Sequence, residues 1–141
     1  MAYQVWQYRN GTVLVEKYTG TMELSELISN DDDWLSTIPP EVDRILALTD
    51  ISGASLQSMD VRQVGEAFKA VDKYWAKTNR MKIALYTGMN CFEDFQKAST
   101  YARHGSERAL SIIPFVNLDK AMNWLGLTEQ EQEVITVQLQ Q

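Results

Sequence analysis

A chain of 141 residues with 45% apolar and 23% charged side chains has the size and balance of one globular domain with enough apolar material for a core. With 13 Lys and Arg against 19 Asp and Glu, a net charge of −6 and a pI near 4.7, it lacks the basic stripe that phosphate recognition needs, which argues against nucleic acid as a partner and against docking on anionic lipid by charge. The lone cysteine, Cys91, allows no intrachain disulfide and suits a reducing compartment; the opening Met-Ala-Tyr-Gln-Val-Trp is not a signal peptide, and no apolar run approaches the roughly 18 residues of a membrane span, so a soluble cytoplasmic protein is expected.

Residues 3–8 and 12–18 are rich in aromatic and β-branched side chains and flank Arg9-Asn10-Gly11. Asn10-Gly11 supplies the two positive-φ positions of a type I′ turn, so the chain should open with a β-hairpin that ends at Gly20. Met22, Leu24, Leu27 and Ile28 predict a helix over 22–30, Asp31-Asp32-Asp33 a polar break, and 32–36 a second helical turn stopped by Pro39-Pro40. The run at 43–49 suits a strand buried on both faces, followed by a polar loop from Asp50 to Ser55. Val61, Val64, Phe68, Val71 and Trp75 form one stripe of a long helix, capped by Ser58 or Asp60 and ending at Asn79.

The alternation then repeats. Met81–Tyr86 is a predicted strand, 87–90 a loop, and Phe92, Phe95, Ser99 and Ala102 mark a helix ending near Gly105. The strand at 109–116 carries Pro114, which cannot donate to a ladder and belongs at a sheet edge. Asn117 should cap a helix closed by Gly126, and Thr128 with Glu131 three residues on should cap a last helix over 128–139, whose Val134, Ile135, Val137 and Leu139 crowd one end. The order ββαβαβαβα plus a tail helix predicts an α/β fold with a mixed, mostly parallel sheet that holds one antiparallel strand from the hairpin. Residues 1–126 form the domain; 127–141 form a tail helix too apolar to be free, packed on the domain or on a dimer partner.

The hairpin into Gly20, the stretch Leu46-Ala-Leu-Thr-Asp-Ile-Ser52 and the ending Phe115-Val-Asn-Leu-Asp-Lys-Ala-Met-Asn-Trp-Leu125 resemble the SpoIIAA-like family of small bacterial proteins with the STAS fold (sulfate transporter and anti-sigma factor antagonist). The resemblance spans about residues 1–126, and its motifs are structural rather than catalytic. It implies a binding or regulatory module for a partner protein or a small ligand, and its likeness to CRAL-TRIO carriers implies that an apolar, lipid-like ligand would lie between helices and sheet near Phe68, Trp75 and Phe95. In true antagonists a serine in Met-Asp-Ser-Ser-Gly takes a phosphate; here Met59-Asp60-Val61-Arg62-Gln63 puts Val61 there, without a hydroxyl, with Ser58 upstream.

Ligands of open α/β sheets gather beyond the carboxyl ends of the strands, which groups Asp50, Ser52, Ser55, Ser58, Thr87 and Asn90 as candidate ligand- or partner-binding residues. The same residue types also cap helices and shape turns. Cys91 near a helix start is a candidate nucleophile, but Glu93 and Asp94 beside it oppose a thiolate. His104, the only histidine, serves a helix C-terminus as well as it would serve catalysis. Asp31–Asp33 read as solvated helix-start charge; zinc spacings and an EF-hand pattern are absent, and no metal or cofactor is expected. Trp34, Trp75, Tyr101 and Trp124 line a core, a pocket or a subunit contact. Three readings follow: a non-enzymatic binding or regulatory module, a structural homodimer, and an enzyme using Cys91 or His104.

Overall fold

The structure is a computed structural model that describes residues 2–37, 42, 44–63, 81–88, 92–106 and 111–141. Strands β1 (Ala2–Tyr8) and β2 (Val13–Thr21) form the expected hairpin, with Tyr8 opposite Val13. Its turn is wider than a single Asn10-Gly11 I′ turn. Arg9, Asn10 and Gly11 all take positive φ, at 51°, 57° and 86°, and Gly11 N donates to Tyr8 O and Thr12 N to Arg9 O, each at 3.2 Å. Two overlapping turns therefore close the hairpin. Arg9 holds its unusual conformation while its guanidinium makes a paired contact with Glu131, Nε to Oε2 at 2.8 Å and a second nitrogen to Oε1 at 2.6 Å.

Helix α1 (Leu24–Ser36) runs through Asp31–Asp33 without the expected break. Aspartate costs a helix only about half a kcal/mol per residue, and with no Gly or Pro in the run the helix continues around its buried Leu27. Strand β3 (Ile45–Ser55) likewise continues through the residues expected to form a loop. The reason lies in its partner: β2 extends to Thr21, and beyond a register shift at Lys17/Thr19 it pairs Thr19 with Gly53, Gly20 with Ala54 and Thr21 with Ser55. A 3-10 turn at Val61–Gln63 follows, with Asp60 rather than Ser58 accepting from Arg62 N at 3.0 Å. The remainder of the long helix expected there, with Val64, Phe68, Val71 and Trp75, lies outside the described residues, as do Pro39-Pro40.

Strand β4 (Met81–Tyr86), helix α2 (Phe92–Ser106), strand β5 (Ser111–Phe115), helix α3 (Leu118–Leu125) and helix α4 (Glu129–Leu139) complete the described elements. Asn117 caps α3 by accepting from Lys120 N, Gly126 closes it in the left-handed region at φ 75°, and Thr128 and Glu131 form a full capping box at α4. The five strands run in the order β1-β2-β3-β4-β5, with β1 antiparallel and the rest parallel. Pro114 sits on β5, the edge strand, opposite Leu85, where its missing N–H breaks no ladder.

Strand alternation sends side chains to two cores. Leu14, Tyr18, Ile45, Ala47, Met81, Ile83 and Ile112 meet Leu27 of α1 and Ala98, Tyr101 and Ala102 of α2. Val13, Val15, Leu46, Leu48 and Ala84 meet Ala121, Met122 and Leu125 of α3 and Ile135 and Leu139 of α4. A sequential parallel sheet with right-handed crossovers puts its connecting helices on one face, and α3 and α4, which follow the last strand, cover the other. Lys17 Nζ donates to Leu139 O at 2.5 Å, so the end of α4 is tied to β2 of its own domain, while Val134 and Val137 face outward.

Candidate functional site

The carboxyl ends of the parallel strands form a lateral row. Lys17 of β2 registers with Asp50 of β3, Asp50 with Tyr86 of β4, and Tyr86 with Phe115 of β5. Asp50 shares the strand face of Leu46 and Leu48, toward α3 and α4, and is only 4% exposed. One carboxylate oxygen, Oδ1, accepts from Ser52 N at 2.9 Å and Ser52 Oγ at 2.6 Å; the other takes no hydrogen bond among the described residues. Burial and, secondarily, the Asp50 carboxylate push the Tyr86 phenol above its ordinary pKa.

Thr87 follows directly. It is buried, and it is fixed to β5: its N–H donates to Phe115 O at 2.8 Å and its hydroxyl reaches Gly88 O and Phe115 O, each at 3.2 Å. Gly88 takes φ 62° and passes so close to β3 that a Cβ there would lie 2.9 Å from Ser52 Cβ. Asp50, Ser52 and Thr87 are thus brought to one rim. Ser55 and Ser58 are not part of it. Because β3 runs on past the end of β4, Ser55 pairs with Thr21, and the exposed Ser58 belongs to a turn anchored on α2, where Asp94 Oδ1 accepts from Leu56 N at 3.3 Å and Lys97 Nζ donates to Leu56 O at 2.8 Å. Asn90, Phe68, Trp75 and Cys91 lie outside the described residues, as do the side chains of Trp34 and His104. Phe95 is half-buried on α2, and Tyr101 is buried in the core beneath it. Trp124 stays half-exposed, its ring 5.6 Å from that of Phe115 and 5.2 Å from Lys82 Nζ.

A second polar constellation escapes composition and spacing. Glu16, on the α1/α2 face of β2, is 0% exposed. Its Oε1 accepts from Thr49 Oγ1 at 3.0 Å, and its Oε2 from the Tyr3 hydroxyl at 2.9 Å and the Tyr18 hydroxyl at 3.3 Å. Asn30 Nδ2 of α1 donates to the Tyr18 hydroxyl at 3.1 Å. Beside it, Tyr3 and Asn30 join Ser25, Glu26 and Ser29 in lining an open groove of about 490 Å³. The signal for Glu16 was present in Val13-Leu-Val-Glu-Lys-Tyr18: a strand covered on both faces and paired along both edges leaves its one carboxylate no route to water.

A mixed sheet of sequential parallel strands opened by a hairpin, with helices on both faces, is the SpoIIAA-like fold. The crystal structure of an uncharacterized protein of the DUF3478 family from Shewanella loihica PV-4, described as having a SpoIIAA-like fold, matches with a TM-score of 0.51 over 88% of this chain and 92% of that one, at 16% identity. No family model matches the chain, and no curated protein does. The likeness carries the fold; function rests on the site. No helix among the described residues is long and apolar enough to cross a membrane, and the described residues contain no cluster of three or more metal-ligating side chains.

Proposed function

We propose that the chain is a non-enzymatic binding or regulatory module of the cytoplasm that recognises a partner protein or a small ligand at the rim of Asp50, Ser52 and Thr87. The observation that carries this reading is the Asp50 carboxylate: nearly buried, oriented through one oxygen by Ser52, and with no donor to the other oxygen among the described residues. The position agrees with the general rule that open α/β sheets bind beyond the carboxyl ends of their strands. Ser52 donates to Asp50, but a carboxylate is a poor base toward a serine hydroxyl, so the pair suits orientation rather than nucleophilic attack.

Thermal-shift titration of the full chain against a panel of alkylamines, fatty acids and phosphate monoesters tests the reading, with Asp50→Asn and Ser52→Ala alongside. The expected result is a compound class that raises the melting temperature of the parent and fails to do so in Asp50→Asn. A compound that stabilises parent and variants alike binds elsewhere and removes the rim. Conversion of any panel member, seen by mass spectrometry of the same mixtures, removes the non-enzymatic half.

A further inference from the structure

We propose that the groove between α3 and α4 is a docking surface for a basic, amphipathic helical segment of a partner protein. The groove has a volume of about 430 Å³, and none of the residues that line it is one of the rim residues Asp50, Ser52 and Thr87. From α4 it takes Glu129, Gln132, Glu133, Thr136 and Val137, which recur at helical spacing and form one continuous stripe. From α3 it takes Asp119 and the buried Met122. The opposite face of α4, with Ile135 and Leu139, is already committed to the sheet. The stripe is therefore a second face of the same helix, joined to α3 and its connector through Gln132 Nε2, which donates to Asn123 Oδ1 and Leu127 O at 2.9 Å each, and Val137 stands 57% exposed on it with Val134 at 48% one turn earlier.

Charge selects the occupant. Among the described residues, Asp119, Glu129 and Glu133 have no hydrogen bond or ion pair, and no Lys or Arg lines the groove. Glu131 on the same helix differs, being held by Arg9. A second copy of this chain would bring the same carboxylates to a two-fold contact and a net charge of −6, so like charges would face each other. Anionic lipid is repelled for the same reason. A helix that carries Leu or Val on one side and Lys or Arg along its flanks answers both features: its apolar side chains meet Val137 and the adjacent Val134 while its cations meet the three carboxylates.

The probe is a synthetic leucine–lysine amphipathic peptide about four helical turns long, with a leucine–glutamate counterpart, titrated into the isotope-labelled full chain near physiological ionic strength. The expected result is amide shift changes confined to residues 118–139, no response to the leucine–glutamate peptide, and affinity lowered about fivefold or more by Glu129→Gln/Glu133→Gln. The control Glu23→Gln/Asp33→Asn, with the same change of net charge on exposed sites elsewhere, should lower it less than about twofold. Asp119→Asn, on the other helix, should weaken binding in the same direction as the α4 pair. Absence of binding, equal losses in the two double variants, shift changes centred elsewhere, or a dimer in solution that uses the α4 stripe would each overturn the proposal.

Discussion

Thr49 Oγ1 donates to Glu16 Oε1 at 3.0 Å, a hydrogen bond between register partners that ties β2 to β3 around a carboxylate with no access to water. The other oxygen is taken by Tyr3 from β1 and Tyr18 from β2, so one side chain links three strands, and Asn30 connects α1 to the same network.

Replacing the acceptor should cost more than removing any donor. Glu16→Leu removes the acceptor of three buried or half-buried hydroxyls and is expected to lose ~3 kcal/mol in urea denaturation, Glu16→Gln ~1–2 because its amide still accepts on one side, and Tyr3→Phe ~1. A Tyr3→Phe loss equal to that of Glu16→Leu would place the energy in the single Tyr3 hydrogen bond rather than in the carboxylate's whole set of donors.

The Arg9 hydrogen bonds pull the Glu131 carboxyl from 4.5 to about 2, with help from the capping contacts of Thr128. The folded pKa is depressed, so the stability it adds is present above the unfolded value near 4.5 and fades as pH falls toward 2. The pair is partly exposed and screened by solvent, which holds its worth to ~1 kcal/mol even with bidentate geometry. Glu131→Gln keeps a side chain able to serve the capping box, so parent and variant should differ by this amount at pH 7 and converge by pH 2. A gap that persists unchanged at pH 2 would assign the loss to the cap.

Two left-handed glycines should respond differently to alanine. At Gly126 the new Cβ meets, among the described residues, only Arg44 at 3.8 Å, so the cost is backbone strain of ~1 kcal/mol. At Gly88 it also meets Ser52 Cβ at 2.9 Å, and the cost should rise to ~2 kcal/mol or more. Ser52→Gly in the Gly88→Ala background should recover the excess, and a double-mutant cycle measures it. Strict additivity would separate the two segments that form the rim.

The two faces of α4 give the sharpest contrast. Ile135 is 0% exposed, and Ile135→Ala should cost ~3 kcal/mol, whereas Val137→Ala should stay within ~0.5 kcal/mol. Truncation after Gly126 uncovers Val13, Val15, Leu46 and Leu48, and the shortened chain should melt earlier and aggregate. A truncated chain as stable as the parent would show that α4 adds nothing to the domain.

Several features could be read because they depend on near neighbours. The hairpin needed only Arg9-Asn10-Gly11 between two β-favouring runs, though the positive φ of Arg9 and its contact with Glu131, a residue 122 positions away, were not legible there. Asn117, Gly126, Thr128 and Glu131 act within one turn of their helices, and capping chemistry is local. Pro114 marked an edge strand through the loss of its own N–H.

What the amino-acid order determined by itself was the sequence of elements, their caps and the mixed sheet, since periodicity and turn chemistry act over three or four residues. Tertiary structure alone decided how long the elements are and which polar groups meet. Asp50 to Ser55 is strand rather than loop because β2 is long enough to pair with it, and Asp31–Asp33 stay helical around a buried Leu27. Glu16 gathers hydroxyls from 2 to 33 residues away, and Gly88 comes against Ser52, through contacts that exist only once β2, β3 and β4 lie side by side. A buried carboxylate must be satisfied, but nothing in its immediate neighbours says by whom.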